Sequence, residues 1–280
     1  MIRISVSDEI RTRCPQFVGA AVLADVVNSE HNEALWEEIN AFLDDYRQRY
    51  TADSIKAMPA IEATREAYRR CGKDPSRYRP SGEALIRRTL KGHELYRVST
   101  LVDLINLASI AYGYSIGGFD ADKIAMHNSP SPIPKGKDYC SKSSVPSGED
   151  YCSKSTFPSG EDYCSKSTFP SGEGLGKRLL VEDWGEAIVL GIGREGEPYE
   201  GIGRGMLNIA GLPVYRDAIG GIGTPTSDHE RTKLTLETTR LLAIVNGYDG
   251  NRQGVNDCAH FIQNLLRKYG CSKGGEIIEF

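Results

Sequence analysis

A chain of 280 residues, 39% hydrophobic and 26% charged, has room for one large core or two small ones. Its net charge of −4 excludes a uniformly basic nucleic-acid binder, so any such surface has to be local. No apolar run approaches the roughly 20 residues of a membrane span, the opening MIRISVSDEIRTR has no leader core, and the seven cysteines form no CxxC. These features predict a cytoplasmic protein with reduced thiols, no membrane partner, no metal and no cofactor.

Taken in order, Ile2 to Val6 alternates as an edge strand, and the apolar, alanine-rich Phe17 to Val27 reads as a buried strand. Asn32 to Tyr50 repeats Leu35, Ile39, Phe42, Leu43 and Tyr46 at helical spacing, with acids early and Arg47 and Arg49 late. Ile55 to Cys71 predicts a second helix, stopped by Gly72. Residues 1–62 are thus expected as an α/β segment packed on the main domain, without chemistry of its own.

The stretch from Arg65 to Arg97 is basic, with ten Lys and Arg against four acids. Tyr68, Tyr78 and Tyr96 are interleaved with the charges, and Ser81 is placed to cap a helix that carries Arg87 and Arg88. Guanidinium groups beside aromatics suit phosphates and unstacked bases, which makes Arg77, Arg79, Arg87, Arg88 and Lys91 RNA-binding candidates. The same segment also reads as a solvated helical face whose arginines pair with acids elsewhere.

Leu101 to Ile124 (LVDLINLASIAYGYSIGGFDADKI) begins as an amphipathic helix through Leu101, Leu104, Ile105, Ala108 and Tyr112. Gly113, Gly117 and Gly118 then predict a glycine turn into a short strand at Phe119-Asp120. Asn106 and Asp120 are polar where the pattern is apolar. They either satisfy local backbone groups or line a pocket at this junction.

Residues 126–174 carry three tandem copies of a 12-residue unit built on DYCSKS, with Cys140, Cys152 and Cys164 in register. The spacing matches no metal-ligand set, and the Ser, Pro, Gly and Lys content predicts a disordered low-complexity insertion. Beyond it, Leu179 to Val181 and Ala187 to Leu190 resume strand character, and a turn at Gly193 to Glu197 predicts a hairpin over 187–199. GIGREG and GIGRG each place glycines near an arginine, but neither stands after a strand and before a helix as a dinucleotide-binding turn does.

A strand over Leu212 to Ile219 leads to Gly220-Gly221-Ile222-Gly223, then to a dense polar run from Thr224 to Thr232. Backbone N–H groups at Gly221 to Gly223 are candidate oxyanion donors, and His229 is a candidate base. Lys233 to Glu237 and Leu241 to Val245 read as strands, Asn256 to Tyr269 as a helix, and Ile277-Ile278 as a closing strand. The pocket candidates are Asn106, Gly117, Asp120, Gly221, Thr226, Ser227, Asp228, Arg231 and Thr232. Arg231 is expected either to anchor a carboxylate or phosphate or to pair with Asp120.

VDLINLASIAYGYSIGGFDADKI, followed by PVYRD and GGIGTPTSDHERTKLTLETTRLL in that order, resembles the B3/B4 editing domain of the phenylalanyl-tRNA synthetase beta chain, and free-standing proteins that carry it alone. The resemblance covers 63–124 and 184–269. It implies a domain over 63–280 of α/β (α+β) class, a B3/B4-type editing-domain fold with a mixed sheet flanked by helices. It also implies tRNA or another RNA as partner and hydrolysis of mischarged aminoacyl-tRNA in trans. Asn106 stands where the family has asparagine, Ile105 where it has threonine, and Gly117 where it has histidine. The alternatives are a non-catalytic RNA-binding module and a pocket for an amino-acid-like small molecule. The oligomeric state is left open.

Overall fold

The computed structural model describes residues 2–125 and 187–280. The repeat insertion and the strand expected at Leu179 to Val181 lie outside the described residues. The fold is α+β, and its strands fall into two four-stranded sheets and a two-stranded one.

The first sheet is antiparallel throughout and contains β2 (Val18–Asp25), β3 (Ser115–Asp120), β9 (Arg240–Gly247) and β10 (Glu276–Glu279), in the order β10-β2-β9-β3. Its two inner strands are covered on both faces. Along β2, Ala20, Val22 and Ala24 point into one apolar cluster, while Ala21 and Leu23 point into another. A strand buried on both sides needs no polar positions, which is why this one is a continuous apolar run.

The first of these clusters is completed by helices α2 (Glu33–Arg49), α4 (Ser81–Leu90), α5 (Thr100–Tyr112) and α6 (Arg252–Tyr269). Asn32 caps α2 through its side chain, which accepts the Leu35 N–H, and Asn251 caps α6 in the same way through Gly254. The second cluster joins the first sheet to a mixed one of β1 (Arg3–Val6), β4 (Ala187–Ile192), β7 (Pro213–Arg216) and β8 (Gly221–Gly223). There β1 runs parallel to β4, and the other pairs are antiparallel. Helices α1 (Asp8–Arg13) and α3 (Pro59–Arg70) and the small hairpin β5 (Glu200–Gly201) and β6 (Gly205–Met206) complete the described elements, with short 3-10 turns between them.

Several local expectations are corrected. Within residues 1–62, β1 and β2 are strands of the two sheets. Gly117 and Gly118 do not form a turn. Gly113 alone ends α5, in the left-handed conformation at φ 77°, and both later glycines lie in β3. The antiparallel partner of β4 is β7, so 187–199 is not a hairpin. Ser81 is the first residue of α4 and makes no capping bond. Residues 233–237 form no strand. Among the described residues no helix is long and apolar enough to cross a membrane.

Candidate functional site

Helices α4 and α5, strand β3 and the loop after β8 converge on a cavity of about 510 Å³. Helix α5 presents Val102, Ile105, Asn106 and Ser109, one face at three- and four-residue spacing. Ser81 and Leu85 come from α4, Ile116 and Gly118 from β3, and Thr224, Ser227, Asp228, Lys233 and Leu234 from the loop. Val98 and Ile202 are exposed and complete the rim. Gly118 keeps this space open. A Cβ there would lie 2.7 Å from Ile105 Cδ1 and 3.2 Å from Leu234 Cδ1.

Many polar groups of the lining are already committed within the protein. The Ser109 hydroxyl donates to the Tyr114 carbonyl. Thr224 Oγ1 donates to the Ser227 carbonyl at 3.0 Å and accepts the N–H groups of Thr226 and Ser227. The Tyr199 hydroxyl holds the same carbonyl at 2.7 Å. Ser227 Oγ donates to the Asp228 carbonyl, and Lys233 pairs with Glu230. The side chains of Asn106 and Ser81 have no hydrogen-bond partner among the described residues, and Asp228 has one.

Asp228 Oδ2 accepts the Gly118 N–H at 3.0 Å. Its carboxyl fits beside the Phe119 ring because two strands offer no side chain there. A Cβ on Gly117 would stand 2.6 Å from Phe119 Cζ and 3.2 Å from Asp228 Oδ1, and one on Gly223 would stand 2.4 Å and 3.0 Å from the same atoms. Burial pushes the Asp228 carboxyl up to about 7, against the smaller opposing effect of the Gly118 N–H. A carboxyl that gains and loses its proton near neutrality can accept a proton from a bound molecule or return one.

Of the pocket candidates, Asn106, Ser227 and Asp228 line the cavity, and Gly117 backs Asp228. The others are placed elsewhere. Asp120 accepts from Thr238 Oγ1 at 2.9 Å, pairs with Lys123 at 3.0 Å and takes the Asp122 N–H, so it serves local structure. Arg231 is neither a free anchor nor the partner of Asp120. Both its terminal nitrogens bind Asp217, each at 2.9 Å. Thr226 joins the buried Tyr68 hydroxyl at 2.9 Å, Thr232 is buried behind β8, and Gly221 lies under the Tyr199 ring. Gly221 to Gly223 is a strand paired with β7 rather than an open turn of donors. His229 Nδ1 accepts the Arg231 N–H, and burial together with Arg231 lowers its basicity. It does not line the cavity.

Sequence reasoning misses Val98, Val102, Leu85 and Leu234 as pocket residues. Val102 has a readable signal, since it lies one helical turn before Asn106 on the face that carries Ile105.

The basic segment divides in two. Glu83 is fully buried in α4 and receives Arg65 at 2.9 Å, Arg87 at 2.7 Å and Arg79 at 3.8 Å. Arg87 is therefore committed to neutralising a buried carboxylate, as the paired-arginine reading expects. Arg88 lies over the Tyr96 ring at 4.0 Å, and Arg77 and Lys73 flank the Tyr78 ring at 5.8 and 3.9 Å. Arg77, Arg79 and Lys91 are exposed.

No curated protein matches this chain. Residues 63–138, which carry most of α3 and all of α4, α5 and β3, match the family model described as the B3/4 domain.

Proposed function

We propose that the cavity receives the aminoacyl group of an aminoacyl-RNA and hydrolyses its ester in trans, in the cytoplasm. In this reading Asp228 takes a proton from a bound water as the water oxygen attacks the ester carbonyl. The Asn106 amide donates to the oxygen that gains charge. The carbon–oxygen bond to the ribose then breaks, and the ribose oxygen leaves with a proton. Apolar side chains at Leu85, Val98, Val102, Ile105 and Leu234 receive the amino acid's own side chain.

The observation that carries this reading is Asp228, a carboxyl pushed up to about 7 on the wall of a cavity that is also lined by the Asn106 amide, which has no partner among the described residues. The similarity of residues 63–138 to the B3/4 domain, a synthetase-related family, supports the RNA-linked substrate. The test is deacylation of a panel of mischarged tRNAs. A base of this kind contributes roughly 10²–10⁴-fold, so Asp228→Asn should lose that much in rate. The wild-type rate should rise with pH through about 7 and then level off, because only the ionised carboxyl takes the proton. An enzyme equally active as Asp228→Asn would end the proposal.

The second reading is a binding module without chemistry. It is favoured by the predominance of apolar surface in the lining. Ligand-dependent protection of the cavity with no deacylation of any tRNA would select it.

A further inference from the structure

The segment that leaves α4 and enters α5 carries an unusual surface residue. Tyr96 is 70% exposed, although an aromatic ring of this size is normally covered. Arg88 lies against one face of the ring at 4.0 Å, and its Nε donates to the Glu94 carbonyl. With one face so covered, the 70% exposure leaves the other face open to solvent. The segment is also held in place. The Val98 N–H donates to Asp103 Oδ1 at 3.1 Å, and Asp103 Oδ2 accepts Trp36 Nε1 at 2.8 Å. Arg97 lies over the Trp36 ring at 4.6 Å, and Lys91, His93, Glu94 and Arg97 are exposed on the same segment.

Two residues after Tyr96, Val98 forms part of the cavity rim and is itself 57% exposed. Two residues of chain span at most about 7 Å. A planar ring backed by a guanidinium thus stands within two residues of the cavity rim.

We propose that Tyr96 is a stacking platform for an unpaired nucleobase of single-stranded RNA, with Arg88 on the opposite face of the ring and Lys91 and Arg97 near the adjoining phosphates. This rests on the proposal that the cavity's ligand is joined to RNA, and it adds the element that holds the RNA end. A base stacks on a π-face whatever its sequence, and a guanidinium behind the ring strengthens the stack. A duplex keeps its bases covered and gains nothing from such a surface.

The test uses a short single-stranded RNA with a fluorescent adenine analogue at its 3′ end, and a duplex of the same composition. The wild-type chain should quench the fluorophore on binding. Tyr96→Phe should keep both quenching and affinity, whereas Tyr96→Ala should lose roughly 5- to 100-fold in affinity together with the quenching. The duplex should bind alike to all three, and circular dichroism should show the three equally folded. Wild-type binding without quenching, no binding of the single strand, or equal binding by Tyr96→Ala would overturn the proposal. So would a dimer of the chain that Tyr96→Ala abolishes while RNA binding is unchanged. Hydrolysis of the mischarged tRNA panel is scored separately. A stacking result without deacylation leaves the platform standing and removes the hydrolase reading, and deacylation that ignores Tyr96 does the reverse.

Discussion

Asp228 is set against its surroundings in a way that makes it both useful and costly. In the unfolded chain its carboxyl ionises near 4, and in the folded protein near 7. Below about pH 4 it is protonated in both states and costs nothing. Between the two values the folded protein holds a proton that the unfolded chain has lost, so stability falls as pH rises. Above about 7 the whole cost is present. Asp228→Asn keeps an oxygen for the Gly118 N–H and cannot ionise. It should therefore raise the melting temperature at pH 8 and leave it nearly unchanged at pH 4, as read by thermal unfolding at both values. A variant less stable than wild type at pH 8 would mean that the carboxyl is stabilised there by contacts other than the Gly118 bond. Glu83 is the contrasting case. It is fully buried where Asp228 is half-buried, but three arginines surround it, and its charge is matched rather than avoided.

At the scale of elements, the cavity depends on how α5 passes into β3. Gly113 ends the helix with a positive φ, and the chain turns directly into a strand whose two glycines face opposite ways. Gly117 faces the Phe119 ring and Asp228, whereas Gly118 faces Ile105, Leu234 and the open cavity. The two alanine variants should differ accordingly. Gly117→Ala pushes a methyl group into a fully buried aromatic ring, and overpacking of this kind costs about 1–3 kcal/mol. Gly118→Ala meets the flexible ends of two aliphatic side chains beside empty space. It should cost less in stability and more in ligand affinity, because it narrows the cavity. Urea unfolding and ligand titration of both variants check this, and an equal stability loss in the two would show that the cavity side is as tightly packed as the ring side.

Across the whole molecule, the described residues before and after the insertion form one structure. Strand β1 lies parallel to β4 with Ile4 opposite Ile188, although 184 positions separate them in the chain. Both side chains belong to the cluster that joins the two sheets. Ile4→Ala and Ile188→Ala should each cost about 2–4 kcal/mol. Combined, they should cost less than the sum, since each removes the other's neighbour. Strict additivity in chemical denaturation would show that the two strands do not support one another.

Helices α2, α5 and α6 and the buried strand β2 were legible in the sequence, because helical period, caps and continuous apolar runs are written within a few neighbouring residues. Asn106 and Asp228 were legible as polar residues in places that called for an explanation. The pairing of β4 with β7, and of Arg231 with Asp217 rather than Asp120, was not legible. Nor was the burial of Glu83 among three arginines. Each depends on contacts between segments whose order in space no local pattern encodes. The cavity is the clearest example. Its lining comes from α4, the segment before α5, α5 itself, β3, the β5–β6 hairpin and the loop after β8. The sequence supplied a run of polar residues from Thr224 to Thr232. Only the packing of the two sheets decided which of them face the cavity and which are spent holding the fold together. It did so because a single turn directs adjacent side chains to opposite sides.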